Sequence, residues 1–169
     1  MAVRDNRVKR AKSGVIIGLP VKTDPFYQQF VTPNAPGKKR VGTLTNGQIA
    51  VSMRLTVSAT DAGTCDGRMY VDTVEFYDLT SYNSLCINAI ESQTDSAGHR
   101  WYIELVPASG GDTIRLDQGA KGGITSKVLD ISSYKGKYAI RIHIYTDHAT
   151  YGYAAQYVDV KILSLGLSK

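Results

Sequence analysis

No stretch of this 169-residue chain approaches the roughly 18 to 20 consecutive apolar residues that a membrane-spanning helix needs, so no such span is expected. The apolar run Val15–Leu19 is too short for the core of a secretory signal, so no cleaved signal is expected either. Cysteine is scarce: Cys65 and Cys86 stand alone, without the spacing of a zinc or redox motif. They read as two packed thiols made in a reducing compartment, with a single disulfide between neighbouring strands as the alternative. Of three histidines (His99, His143, His148), none has a partner at metal-binding spacing, and Asp147 beside His148 lacks a third member. There is no Gly-x-Ser-x-Gly elbow. Gly119–Gly123 lacks the phosphate-loop spacing and no helical pattern follows it. Glu75, Glu91 and Glu104 are the only glutamates. Carboxylates for glycosidic cleavage need proximity only in space, so spacing alone does not remove that chemistry. The expectation is a protein with no catalytic residues, no cofactor and no metal.

The chain does have an uneven charge. Residues 1–40 carry nine Lys/Arg against Asp5 and Asp24, whereas residues 41–169 carry eleven against thirteen Asp/Glu. The basicity therefore belongs to the leading segment, which suggests an arm that meets something acidic. Four of the five prolines (Pro20, Pro25, Pro33, Pro36) punctuate the same stretch, and proline lacks the N–H that helices and central strands use. Residues 1–47 read as a basic, extended arm and linker. Val15–Leu19 and Phe26–Val31 are too apolar for a free tail, so they are expected to dock on the body or on a partner.

Residues 48–169 read as one domain. Hydrophobic residues make up 43% of the chain, enough for a sizeable core. Ile49, Val51, Met53, Leu55 and Val57 alternate with small or polar residues, as on a half-buried strand. Further strands are expected at Arg68–Phe76, around Leu85–Ala89, at Trp101–Leu105, Thr113–Asp117 and Ile124–Leu129, around Tyr138–Ile144, and near Tyr157–Leu165. Asp61–Gly67, Asp95–Gly98 and Ser109–Asp112 read as turns between them. His143 alternates with the isoleucines of its strand, which predicts a surface position. About eight strands and no helical spacing predict an all-β antiparallel sandwich of the jelly-roll kind.

Two segments echo each other. Asp78-Leu-Thr-Ser-Tyr82 and Asp130-Ile-Ser-Ser-Tyr134 share Asp, an aliphatic residue, Ser/Thr, Ser and Tyr. An aspartate two residues before Ser/Thr suits a turn in which its carboxylate accepts a local backbone N–H, leaving the aliphatic residue and tyrosine to plug the end of the sandwich. The segment from Asp130 to Tyr145 resembles the turn and strand of jelly-roll domains in the galactose-binding-like and carbohydrate-binding-module class, and Asp78–Leu85 looks like the partner turn. The resemblance covers roughly residues 68–165. Such domains occur in phage tail, fibre and capsid-decoration proteins and as accessory modules of glycoside hydrolases.

Two surfaces are candidates for binding. Tyr145, Tyr151, Tyr153 and Tyr157 form a tyrosine-rich C-terminal stretch, suited to sugar rings or to a subunit interface. Arg4, Arg7, Lys9, Arg10 and Lys12, with Phe26, Tyr27 and Phe30, form a candidate assembly arm. The first expectation, drawn from the resemblance, is a non-enzymatic structural protein of a phage particle. It would be made in the host cytoplasm and carried in the virion, with copies of itself and other virion proteins as partners. The alternatives are a carbohydrate-binding or host-attachment domain facing a surface glycan, and a small capsid protein whose basic arm contacts nucleic acid by neutralising phosphates.

Overall fold

In the computed structural model, residues 17–18, 26–28, 38–46, 51–59, 64–94, 100–119, 124–150 and 156–169 are described. They form twelve strands: β1 (Ile17–Gly18), β2 (Phe26–Gln28), β3 (Lys38–Asn46), β4 (Val51–Ala59), β5 (Thr64–Asp72), β6 (Tyr77–Asp78), β7 (Ser84–Thr94), β8 (Arg100–Pro107), β9 (Ile114–Gly119), β10 (Ile124–Asp130), β11 (Lys137–Thr150) and β12 (Gln156–Ser168). Among the described residues the only helical element is one 3-10 turn, Leu79–Ser81, and no helix is long and apolar enough to cross a membrane.

The strands make two antiparallel sheets. One has the order β10-β7-β12-β4-β3, with β1 also on β12; the other has the order β2-β5-β11-β8-β9, with β6 also on β11. The pairings β8–β9, β7–β10, β5–β11 and β4–β12 nest one inside the next and fall alternately into the two sheets. That is one long ribbon, folded at the β8–β9 turn and rolled up: a jelly-roll sandwich. The eight nested strands are the eight that alternation marks in the sequence.

Alternation also builds the core. Met69 and Val71 (β5), Trp101, Ile103 and Leu105 (β8) and Ile140, Ile142 and Ile144 (β11) line the inner face of one sheet. Met53, Leu55, Leu85, Ile87, Val160, Ile162, Leu165 and Leu167 line the other. At one edge Lys127 of β10 reaches across to Asp117 of β9 at 2.6 Å and lies over the Trp101 ring, tying the sheets together. Gly119 is the backbone partner of Trp101, and a Cβ there would stand 2.2 Å from the indole, so the close approach requires glycine.

The echoed turns close one end. Asp78 Oδ1 accepts the Thr80 N–H at 3.0 Å, and Asp130 Oδ1 accepts the Ser132 N–H at 2.9 Å. Leu79 and Ile131 are fully buried, with Tyr82 and Tyr134 packed beside them. The two turns also hold each other: Leu79 N–H donates to the Gly136 carbonyl and Ile131 N–H to the Asn83 carbonyl. Hydrogen bonds from Thr80 and Ser132 hold the Asp78 and Asp130 carboxyls below the ordinary aspartate value.

Some sequence expectations are met and others need correcting. β5 begins at Thr64 and ends at Asp72, not Arg68 to Phe76. Thr64–Gly67 has the composition of a turn, yet it pairs with Thr146–Thr150 of the unusually long β11, across a register shift. Within the stretch read as linker, Lys38–Asn46 is a nine-residue strand on β4, a sheet edge whose lysines and arginine disguise it. Both apolar pieces of the arm touch the body of the same chain: β1 pairs with β12 and β2 with β5. Cys86 is a free, buried thiol whose pKa burial pushes up, so it forms no disulfide with Cys65.

Candidate functional site

The outward face of the β5–β11–β8–β9 sheet carries an ordered array. β5 reads Arg68-Met-Tyr-Val-Asp72 and β8 reads Arg100-Trp-Tyr-Ile-Glu104, so both place Arg, Tyr and an acid on alternate, outward positions. Between them, antiparallel to both, β11 offers Arg141, His143 and Tyr145. The register aligns three rows. Tyr145 stands between Arg68 and Arg100, His143 between Tyr70 and Tyr102, and Arg141 between Asp72 and Glu104. β9 extends the last two rows with Gln118 and Arg115. On the other side Phe26 and Gln28 of β2 are the backbone partners of Tyr70 and Arg68.

Contacts run both along the rows and between them. Arg141 makes two parallel hydrogen bonds to Asp72, at 2.7 and 2.9 Å, while its guanidinium lies 3.8 Å from the centre of the Tyr70 ring. Burial works against the Arg141 charge, but the hydrogen bonds and charge of Asp72 outweigh it and raise the pKa above its ordinary value. Arg115, half exposed, lies 3.9 Å over Tyr102 and reaches Glu104 at 3.5 Å and Gln118 at 3.3 Å. Arg68 lies 5.1 Å over Tyr145.

Beneath this layer sits a buried pair. His143 Nδ1 is 3.3 Å from Glu104 Oε2, and the two residues are 6% and 4% exposed. The Tyr102 ring is tilted 5.0 Å away and Tyr70 meets the imidazole edge-on at 6.2 Å. The surface position expected for His143 is therefore corrected: its side chain does point away from the isoleucines, but large neighbours cover it. Its Nε2 is buried without a hydrogen-bond partner. Burial raises the Glu104 pKa, yet the hydrogen bond and charge of His143, with Arg115 and Arg141, lower it further, and the net value falls below the ordinary one. A carboxylate held ionised is not poised as a general acid, which needs the opposite shift. Glu75 lies in an exposed loop and Glu91 on the other sheet. Among the described residues no three His, Cys, Asp or Glu gather as metal ligands.

Of the tyrosines singled out in the sequence, Tyr145 stands in this array. Tyr157 lies on β12, in the opposite sheet, and Tyr151 and Tyr153 lie outside the described residues. Phe26 and Tyr27 belong to β2, whereas Arg4, Arg7, Lys9, Arg10, Lys12 and Phe30 lie outside the described residues. Of the remaining members, His143 reads from the sequence as a surface residue and Glu104 as one of three glutamates, while Arg68, Tyr70, Asp72, Arg100, Tyr102, Arg115 and Arg141 carry no recognised motif. The signal was present as the repeated Arg-x-Tyr-x-acid pattern, which gains meaning only once β5 and β8 are known to flank β11.

A separate cavity of about 260 Å3 opens near the end of the sandwich, between Pro107–Ser109 and Lys135–Tyr138. Its lining includes Lys135, Lys137 and Tyr138, with no arginine or carboxylate side chain.

No protein-family model and no curated protein matches this sequence. Among solved structures, the chain is similar to a mutant family 29 carbohydrate-binding module complexed with mannohexaose, at 13% identity and a TM-score of 0.42, covering 92% of each chain. It is also similar to a family 11 carbohydrate-binding module from Clostridium thermocellum in complex with a β-1,3-1,4-mixed-linked tetrasaccharide, at 13% identity and a TM-score of 0.40, covering 87% of this chain and 96% of that one.

Proposed function

We propose that this chain is a non-catalytic carbohydrate-binding domain, with its glycan on the outward face of the β5–β11–β8–β9 sheet. The observation that carries the reading is the registered array of three tyrosines, four arginines, two carboxylates and one histidine on a single sheet face. A sugar presents flat C–H faces and a rim of hydroxyls. Tyrosine combines apolar area with a polar tip, and arginine and carboxylate groups supply directional donors and acceptors. Their mutual hydrogen bonds fix the side chains before a ligand arrives, which lowers the ordering cost of binding. Shortly after Asp72 in sequence the chain also exposes Val74 and Phe76, at 51% and 49%.

A phage-particle role would depend on the basic arm, whose charged residues before residue 17 lie outside the described set, and the sheet face favours glycan recognition over it. Glycan-array binding and affinity electrophoresis test the proposal. Wild type is expected to bind, and Tyr102→Ala and Tyr70→Ala to lose binding while unfolding cooperatively. An array without hits, or hits indifferent to both substitutions, would overturn it.

A further inference from the structure

Resting on that reading, we infer that His143 is the buried anchor of the glycan site: a sugar hydroxyl donates to its Nε2 once Arg115 and the Tyr102 ring swing aside. The first observation is an orphaned atom in the middle of the array. His143 is 6% exposed, and among the described residues its Nε2 has no hydrogen-bond partner. The atom is enclosed too tightly for a water molecule to touch it. Buried polar atoms in folded proteins are nearly always paired, so this one calls for a cause. Ile142 and Ile144 point into the core, so the His143 side chain stands outward. Nε2 lies at the end of the ring away from Cβ, which turns it toward the covering layer. Nδ1 faces Glu104 at 3.3 Å, and that carboxylate, held ionised, can only accept. In the neutral ring the proton therefore sits on Nδ1 and the lone pair on Nε2. A lone pair calls for a donor, and a sugar offers a rim of hydroxyls.

The second observation is that the cover over this atom is held unequally. On the β5 side, Tyr70 is overlaid by Arg141, which hydrogen bonds of 2.7 and 2.9 Å fix to Asp72. On the β8 side, Tyr102 is overlaid by Arg115, whose contacts to Glu104 and Gln118 are 3.5 and 3.3 Å, beyond the usual hydrogen-bond range. Arg115 stands on β9, which ends the sheet, and its side chain is 51% exposed. A long ion pair with one partner half in water holds weakly, so this is the side that opens. The departure of Arg115 does two things. It bares the Tyr102 face for a sugar ring, and it lets that ring, 5.0 Å from the imidazole, tilt off Nε2.

The test titrates the isotope-labelled full chain with mannohexaose, cellohexaose and each hit of the glycan array, following the imidazole nitrogens by NMR. His143 is assigned by comparison with His143→Phe. The Nε2 resonance is expected to shift on saturation with a bound sugar, as a lone pair that gains a donor must, while Nδ1 stays bonded to Glu104. His143→Phe keeps an aromatic ring beside Tyr102 but offers no acceptor. It is expected to unfold cooperatively and to bind the same sugar about tenfold or more weakly. Arg115→Ala removes the clamp and should quicken association in stopped flow. A bound sugar that leaves Nε2 unshifted would overturn the inference, a readout that a purely structural histidine would give. So would wild-type affinity in His143→Phe, or association in Arg115→Ala no faster than in wild type. Each of these leaves the carbohydrate-binding reading standing, whereas binding to none of the sugars fails both.

Discussion

The two faces of the β5–β11–β8 sheet are built from alternate residues of the same three strands, yet they are held by different physics. Inward, Ile140, Ile142 and Ile144 meet Met69, Val71, Trp101, Ile103 and Leu105, all apolar and nearly inaccessible. One residue along in each case, Arg141, His143 and Tyr145 meet acids, tyrosines and arginines. His143 and Glu104 are as buried as much of the core, but what covers them is a layer of phenol and guanidinium groups. Period-two patterning thus assigns a side chain to a face; what stands on its neighbours decides whether that face is wet.

The sharpest way to break the comparison is to remove volume from each side. Ile142→Ala is expected to cost about 2–5 kcal/mol in urea unfolding, because it leaves a cavity between two sheets. Glu104→Ala, on the outer face of the neighbouring strand, should cost less, about 1–3 kcal/mol, by leaving the buried imidazole without its carboxylate and Arg115 with Gln118 alone. Gly119→Ala probes the inner face at its edge. Its Cβ would collide with the Trp101 indole, so a loss of about 1–3 kcal/mol and a shifted tryptophan emission are expected. Arg115→Ala, exposed and peripheral, should change stability by no more than about 0.5 kcal/mol. Equal stability losses for Ile142→Ala and Arg115→Ala would erase the distinction between the faces.

Acid gives a further handle on the outer face. The Glu104 pKa is lowered in the fold, so the stability it contributes is complete above its ordinary value of 4.5 and is lost as pH falls below that, through the depressed folded value. Unfolding free energy should therefore drop with acid in wild type, and Glu104→Gln should flatten that slope. An unchanged slope would mean that the His143–Glu104 pair contributes nothing.

Much of the fold was legible because alternation is a local signal. Ile140, Ile142 and Ile144 declare an inner face within one strand, and the two Asp-x-Ser/Thr segments declare turns within five residues. What was not legible depends on partners. Lys38–Asn46 reads as linker because an edge strand needs only one neighbour and tolerates charge. Thr64–Gly67 reads as a turn because its strand character comes from the far end of β11. The array itself joins segments more than 30 residues apart, and neither Arg68-x-Tyr-x-Asp72 nor Arg100-x-Tyr-x-Glu104 has meaning until β11 is laid between them.

The mutual grip of the two echoed turns bears on how the chain reaches this state. Leu79 and Ile131, 52 positions apart, each give their amide hydrogen to a carbonyl just past the other turn's tyrosine. Each turn closes internally, with the Tyr82 N–H on the Leu79 carbonyl and the Tyr134 N–H on the Ile131 carbonyl, but the Leu79 and Ile131 amides are satisfied only once both turns are in place. Contacts across such long separations slow folding, since loop-closure entropy is spent before any reward is collected. The end of the roll that holds these turns should accordingly be among the last parts to become protected from hydrogen exchange during refolding.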